Sequence, residues 1–142
     1  MKKLAFFLSF TILFISCTKN EIEENTIDPR LIGKWNLTHY SCCAYIAEYF
    51  NTGEVKVTWK FHQNGSLEVV NDPSVVASVL QSGAYAFKTL KDKISSSNGH
   101  QGEIIINNFT YGYLFTDKNS RLEIYGDVAS DGPWYRFVKS TD

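Results

Sequence analysis

Residues 54–70, EVKVTWKFHQNGSLEVV, decide the fold. Val55, Val57, Trp59 and Phe61 share one face of a period-two pattern, while Glu54, Lys56, Thr58 and Lys60 take the other, as in a half-buried strand. Asn64-Gly65 then offers two neighbouring positions that tolerate positive φ, the strongest short hairpin signal. SLEVV follows as the return strand, with Leu67 and Val69 inward. Outward from this hairpin, LIGKWNLTHY (31–40), AYIAEYF (44–50), AYAFKTL (84–90), RLEIYG (121–126) and WYRFVK (134–139) read as further strands. EIIINN (103–108) reads as a strand running on into FTYGYLF (109–115), whose Gly112 is expected to mark a bulge. DPSVVASVLQSG (72–83) breaks the pattern as one helical turn or a crossover loop, SSSNGHQG (95–102) is a loop, and DKNS (117–120) is a turn. The expected fold is all-β and antiparallel, about eight short strands closing as a meander into a barrel or folding as a sandwich.

Composition agrees. Aromatic residues make up 15% of the 142 residues, an enrichment that favours strands. The formal net charge of -1 points to neither nucleic acid nor an anionic membrane surface as partner. At the N-terminus, Lys2 and Lys3 precede an apolar run, Leu4 to Ile15, too short to span a bilayer as a helix. Ser16 then precedes Cys17. This order resembles a bacterial lipoprotein signal, which implies acylation of Cys17 and removal of residues 1–16. Removal takes two of the 14 basic residues and none of the 15 acidic ones, leaving a mildly acidic chain. Residues 17–29 read as the lipidated cysteine and a flexible acidic tether, and residues 30–142 as the barrel domain. No Asp follows Cys17, which by the sorting rule of such lipoproteins implies a lipid-anchored outer-membrane location, periplasmic or surface-exposed, with contact to the membrane through the anchor only.

Gly33-Lys34-Trp35 opens the first strand and resembles the first signature of lipocalins and related calycin barrels. The wider layout is similar to lipocalin-like lipoproteins of Bacteroidetes: Leu31, Gly33, Lys34, Trp35 and Leu37, then Trp59, Phe61, Asn64, Gly65 and Leu67, then Tyr135, Phe137 and Lys139. The resemblance implies an up-and-down lipocalin-like barrel with Trp35 plugging its closed end. It also implies an arginine packed over that tryptophan, for which Arg121 and Arg136 are the candidates.

A barrel of this size either fills with its own side chains or holds one small ligand. The stripe Phe109, Tyr111, Tyr113 and Phe115, with Tyr85, Phe87, Trp59 and His39, forms the candidate lining for a small apolar or amphipathic ligand. The alternative is a filled scaffold that contacts another envelope protein through its outer face or loops 72–82 and 95–102. Parity places His39, Ser41 and Cys43 on the Trp35 face and Cys42 opposite. His39 and Cys43 are too few for a structural zinc site, so no metal or other cofactor is expected. No nucleophile motif, phosphate loop or telling carboxylate pair is present, so no enzyme activity is expected either. With Cys17 lipidated, Cys42 and Cys43 are expected as unbonded thiols near a strand end. A disulfide between neighbours is the alternative, and it would need a strained turn.

Overall fold

The computed structural model describes residues 27–42, 46–49, 56–75, 80–90, 100–126 and 132–141. It contains nine strands: β1 (Gly33–Cys42), β2 (Ile46–Tyr49), β3 (Val57–Phe61), β4 (Ser66–Asn71), β5 (Gly83–Leu90), β6 (Gly102–Ile106), β7 (Phe109–Thr116), β8 (Arg121–Tyr125) and β9 (Trp134–Lys139). From β3 to β9 each strand pairs antiparallel with the next, and β9 pairs with β1 to close the sheet. The first half of β1 pairs with β3 and its second half with β2, so β2 extends the line of β3 along the same edge. The result is a closed antiparallel eight-stranded barrel. Closure pairs both edges of β1 and of β3 to β9, removing the usual hazard of an all-β sheet, and leaves β2 paired on one edge, to β1.

The alternation read in residues 54–70 holds where it is described. Val57, Trp59, Phe61, Leu67 and Val69 are buried at 1% exposure or less, while Lys60 and Glu68 face water. The register Trp59↔Val69 and Phe61↔Leu67 stacks these side chains on one inner face. Gly65 turns the hairpin at φ 81°, which a side chain would strain.

Several local readings are corrected. EIIINN does not run on into FTYGYLF. Asn107 and Asn108 both take positive φ, 47° and 71°, and form a two-residue turn between β6 and β7. Gly112 marks no bulge, because the ladder is regular through Glu103↔Gly112 and Gly112↔Tyr125. Its missing side chain instead makes room for the His100 imidazole, with which a Cβ placed there would collide. The bulge lies in β1. Leu37 pairs with Phe137 and His39 with Arg136, so Thr38 is an extra residue, and its hydroxyl donates to the Arg136 carbonyl at 3.0 Å. Parity therefore flips beyond Leu37: Tyr40 turns inward against Tyr135, and His39 turns outward. Residues 72–75 and 80–82 are not helical, and residues 76–79 lie outside the described set. Cys42 is disulfide-bonded to a partner outside the described residues, which overturns the expectation of two free thiols.

Packing also reaches further towards the N-terminus than the tether reading allowed. Ile27 packs against the core and Asp28 is 5% exposed. The turn Asp28–Leu31, held by Leu31 N–H to the Asp28 carbonyl at 3.0 Å, lies across one end of the barrel as a plug. Trp35 is fully buried just inside it and donates its indole N–H to the Leu31 carbonyl at 2.7 Å.

Candidate functional site

Antiparallel order separates the two ends of the barrel. Gly33, Phe61, Leu90, Thr116, Arg121 and Lys139 mark the plugged end, while Cys42, Val57, Gly83, Tyr125 and Trp134 mark the opposite one. The side chains singled out in the sequence distribute between these ends and the outer face.

At the plugged end Asp28 collects donors. The Tyr113 hydroxyl reaches its Oδ2 at 3.0 Å, and Arg30 binds the carboxylate through Nε and through Nη2 at 2.6 Å. The Asp28 amide in turn donates to the Thr89 hydroxyl at 3.1 Å. Burial pushes the Asp28 carboxyl up, but the hydrogen bonds from Arg30 and Tyr113 outweigh it and hold its pKa below the usual 3.8. Burial, then the nearby Asp28 charge, raises the Tyr113 phenol well above its ordinary range. The Arg30 guanidinium also lies 4.6 Å over the Phe115 ring, and Phe115 tilts against Trp35 at 5.9 Å. Tyr113 and Phe115 thus belong to the plug. Phe87 packs edge-on to Phe61 at 5.0 Å, one hairpin away.

Neither arginine candidate covers Trp35. Arg121 pairs with Asp117 at 2.9 Å in the β7–β8 turn, and Arg136 alternates outward between inward Tyr135 and Phe137. The cation over the Trp35 ring is Lys139, its Nζ 5.1 Å from the centroid, because the β1–β9 register sets Lys139 opposite Trp35.

On the outer face, His39 stands edge-on to Trp134 at 5.2 Å, Trp134 stacks on Tyr125 at 5.8 Å, and Tyr125 stacks on His100 at 5.1 Å. Glu123 anchors this row. It accepts from the Tyr125 hydroxyl, from the Trp134 indole at 3.2 Å and from Arg136 Nε at 3.1 Å. Burial against Trp134, and secondarily the Arg136 charge, lower the His39 pKa, with Glu123 opposing. His39 is therefore excluded from the barrel lining. Phe109 leaves the lining as well: it opens β7 directly after the Asn107–Asn108 turn, at the rim, and its ring is 65% exposed.

The interior from mid-barrel, where Trp59 pairs with Trp35, to the end opposite the plug is a different environment. Trp59 is fully buried and packs on Phe137 at 4.9 Å and Tyr135 at 5.1 Å. Tyr135 packs in turn against Tyr40 at 5.2 Å and Tyr111 at 6.5 Å. The Trp59 indole N–H is buried with no hydrogen-bond partner, which costs about 1–3 kcal/mol if left unmade. Among the described residues, no hydrogen bond holds the Tyr111 or Tyr135 hydroxyl. Burial, then the influence of Tyr111 and Tyr40, pushes the Tyr135 phenol far above its ordinary range, so it stays a neutral donor and acceptor. Tyr85 flanks this end half-buried, its hydroxyl spent on the Gln81 carbonyl at 2.8 Å. The candidate site is therefore Trp59, Tyr111 and Tyr135 with Tyr40. The sequence reading missed Tyr40 because of the Thr38 bulge. It had placed Tyr135 in a strand without assigning its face, although the alternation Tyr135, Phe137 carried that signal.

No family model matches the chain, and no curated protein matches it significantly. Among solved structures, a lipocalin-like protein from Bacteroides uniformis ATCC 8492 is similar at 16% identity and a TM-score of 0.43, over 78% of this chain and 99% of that one. The closed eight-stranded meander, with its Gly33-Lys34-Trp35 opening beneath the plug, is itself a lipocalin-like fold.

Proposed function

We propose that this protein is a lipid-anchored lipoprotein of the bacterial outer membrane whose barrel binds a small apolar or amphipathic ligand in its interior beside Trp59. The observation that carries this reading is the Trp59 indole N–H, a hydrogen-bond donor inside the barrel with no acceptor. Buried donors in native proteins are nearly always satisfied. A donor left open beside the unbonded Tyr135 and Tyr111 phenols, amid apolar rings, suits a ligand that is mostly apolar with a few polar atoms. The anchor rests on the order of Lys2, Lys3, the apolar run, Ser16 and Cys17.

Native mass spectrometry of protein extracted from its own membranes tests both halves. The expected spectrum shows acyl mass on Cys17 and a bound small molecule that a Trp59→Phe variant carries at reduced occupancy. Protein that arrives empty from every preparation sinks the binding reading. A Cys17→Ala variant that still fractionates with membranes sinks the anchor.

A filled scaffold is the second reading. It is favoured by the tight ring contacts around Trp59 and by the exposed apolar Phe109 and Val70 on its surface.

A further inference from the structure

We infer that the ligand presents an uncharged hydrogen-bond acceptor, such as an alcohol, ketone or ester oxygen, to Trp59, and that the barrel discriminates against carboxylates and other anions. This inference rests on the binding reading above and narrows its ligand class.

The groups that would meet the ligand's polar atom are all neutral. Trp59 Nε1 can only donate, and the Tyr135 and Tyr111 phenols remain protonated at physiological pH. Among the described residues, the ring contacts that join Trp59, Tyr135, Phe137, Tyr40 and Tyr111 include no charged side chain. The buried carboxylate among the described residues, Asp28, is at the plug, where Arg30 already neutralises it. Arg136 is committed to Glu123 on the outer face. An anion drawn to Trp59 would thus lose its hydration with no cation to replace it, whereas an alcohol or ester oxygen gives up far less.

The surrounding sequence carries the same sign. In the sequence, the stretches between consecutive strands on the side away from the plug, residues 43–45, 50–56, 72–82, 107–108 and 126–133, hold one basic residue, Lys56, against four acidic ones, Glu54, Asp72, Asp127 and Asp131. An approaching anion meets net negative charge, the reverse of the electrostatic focusing that an anion-binding cleft would use. The basic residues Arg30, Arg121 and Lys139 cluster instead at the plugged end.

The test uses three polyene probes of one chain length: cis-parinaryl alcohol, cis-parinaric acid methyl ester and cis-parinaric acid. Each is titrated at pH 8 into the full chain held in amphipol, with empty amphipol as the blank, and binding is read by energy transfer from tryptophan. The alcohol and the ester are expected to bind at least tenfold more tightly than the ionised acid. Trp59→Phe is expected to weaken both neutral probes about tenfold and to leave the acid unchanged. Tyr111→Phe, at a half-buried position, gives an independent reading of the same site with a smaller loss. Acid binding as tight as the alcohol overturns the neutral class while the binding reading stands. Neutral probes indifferent to both substitutions overturn the assignment to this site. Failure of all three probes, with protein that is also empty on native extraction, overturns both inference and reading.

Discussion

Asp28 shows how one residue can be decisive and yet unreadable. In the sequence it belongs to an acidic, aromatic-free stretch and reads as tether. In the fold it is 5% exposed and holds Arg30, Tyr113 and Thr89 together across the barrel end. Nothing in its local pattern could reveal this, because its partners other than Arg30 and Leu31 lie at least 61 residues away. The consequence for pH follows from the direction of its shift. A carboxyl whose folded pKa lies below the unfolded value stabilises the fold fully above the unfolded pKa, near 3.9. That contribution fades as pH falls through the lower, folded value. Tyr113→Phe removes one of the donors that hold the pKa down. It should cost about 1–2 kcal/mol at pH 7 and move the acid-unfolding midpoint to higher pH. Urea titrations at pH 7 and across pH 2–5 check both, and an unchanged acid midpoint would show that Arg30 alone sets the Asp28 titration.

At the scale of elements, the strands were legible because inner and outer positions alternate strictly in β3, β4 and β9. The reading failed where a single residue changes the count. Thr38 carries no bulge signature, and only the partner strand shows that it is unpaired. This one residue moved His39 out of the site and Tyr40 into it. Asn107-Asn108 misled for a related reason: two asparagines are a weaker turn signal than Asn-Gly, although both tolerate the left-handed region. The turn therefore leaves stability unclaimed. Asn108→Gly relieves the positive φ at the second position and should stabilise the protein by on the order of 0.5 kcal/mol, roughly 2–4 °C in Tm. Asn108→Val should destabilise it by about 1–2 kcal/mol. Thermal unfolding of the two variants checks the sign of each, and equal effects would argue against a two-residue turn.

Across the whole molecule, the barrel separates its tasks by end. Charge, the buried carboxylate and the covered Trp35 gather at the plug, while neutral tyrosines lie towards the opposite end and the unmatched Trp59 donor stands at mid-barrel, in register with Trp35. The stripe Phe109, Tyr111, Tyr113 and Phe115 looks uniform in sequence because parity reports the face of a sheet but not the height along it. Only closure and the strand register show that its members reach from the rim to the plug. This separation predicts a crossed pair of effects. Asp28→Asn leaves Arg30 without its counter-charge and should lower stability by roughly 2 kcal/mol, with no change in affinity for a neutral probe measured well below Tm. Trp59→Phe should weaken that probe about tenfold, the equivalent of one hydrogen bond of about 1.4 kcal/mol. In the double variant the two losses should add within about 0.5 kcal/mol, since the altered side chains share no partner. Calorimetry and probe titration on the four proteins measure this. A plug substitution that weakened the probe as strongly as Trp59→Phe would mean that the two ends are coupled through the ring stack, and that the plug helps to shape the site.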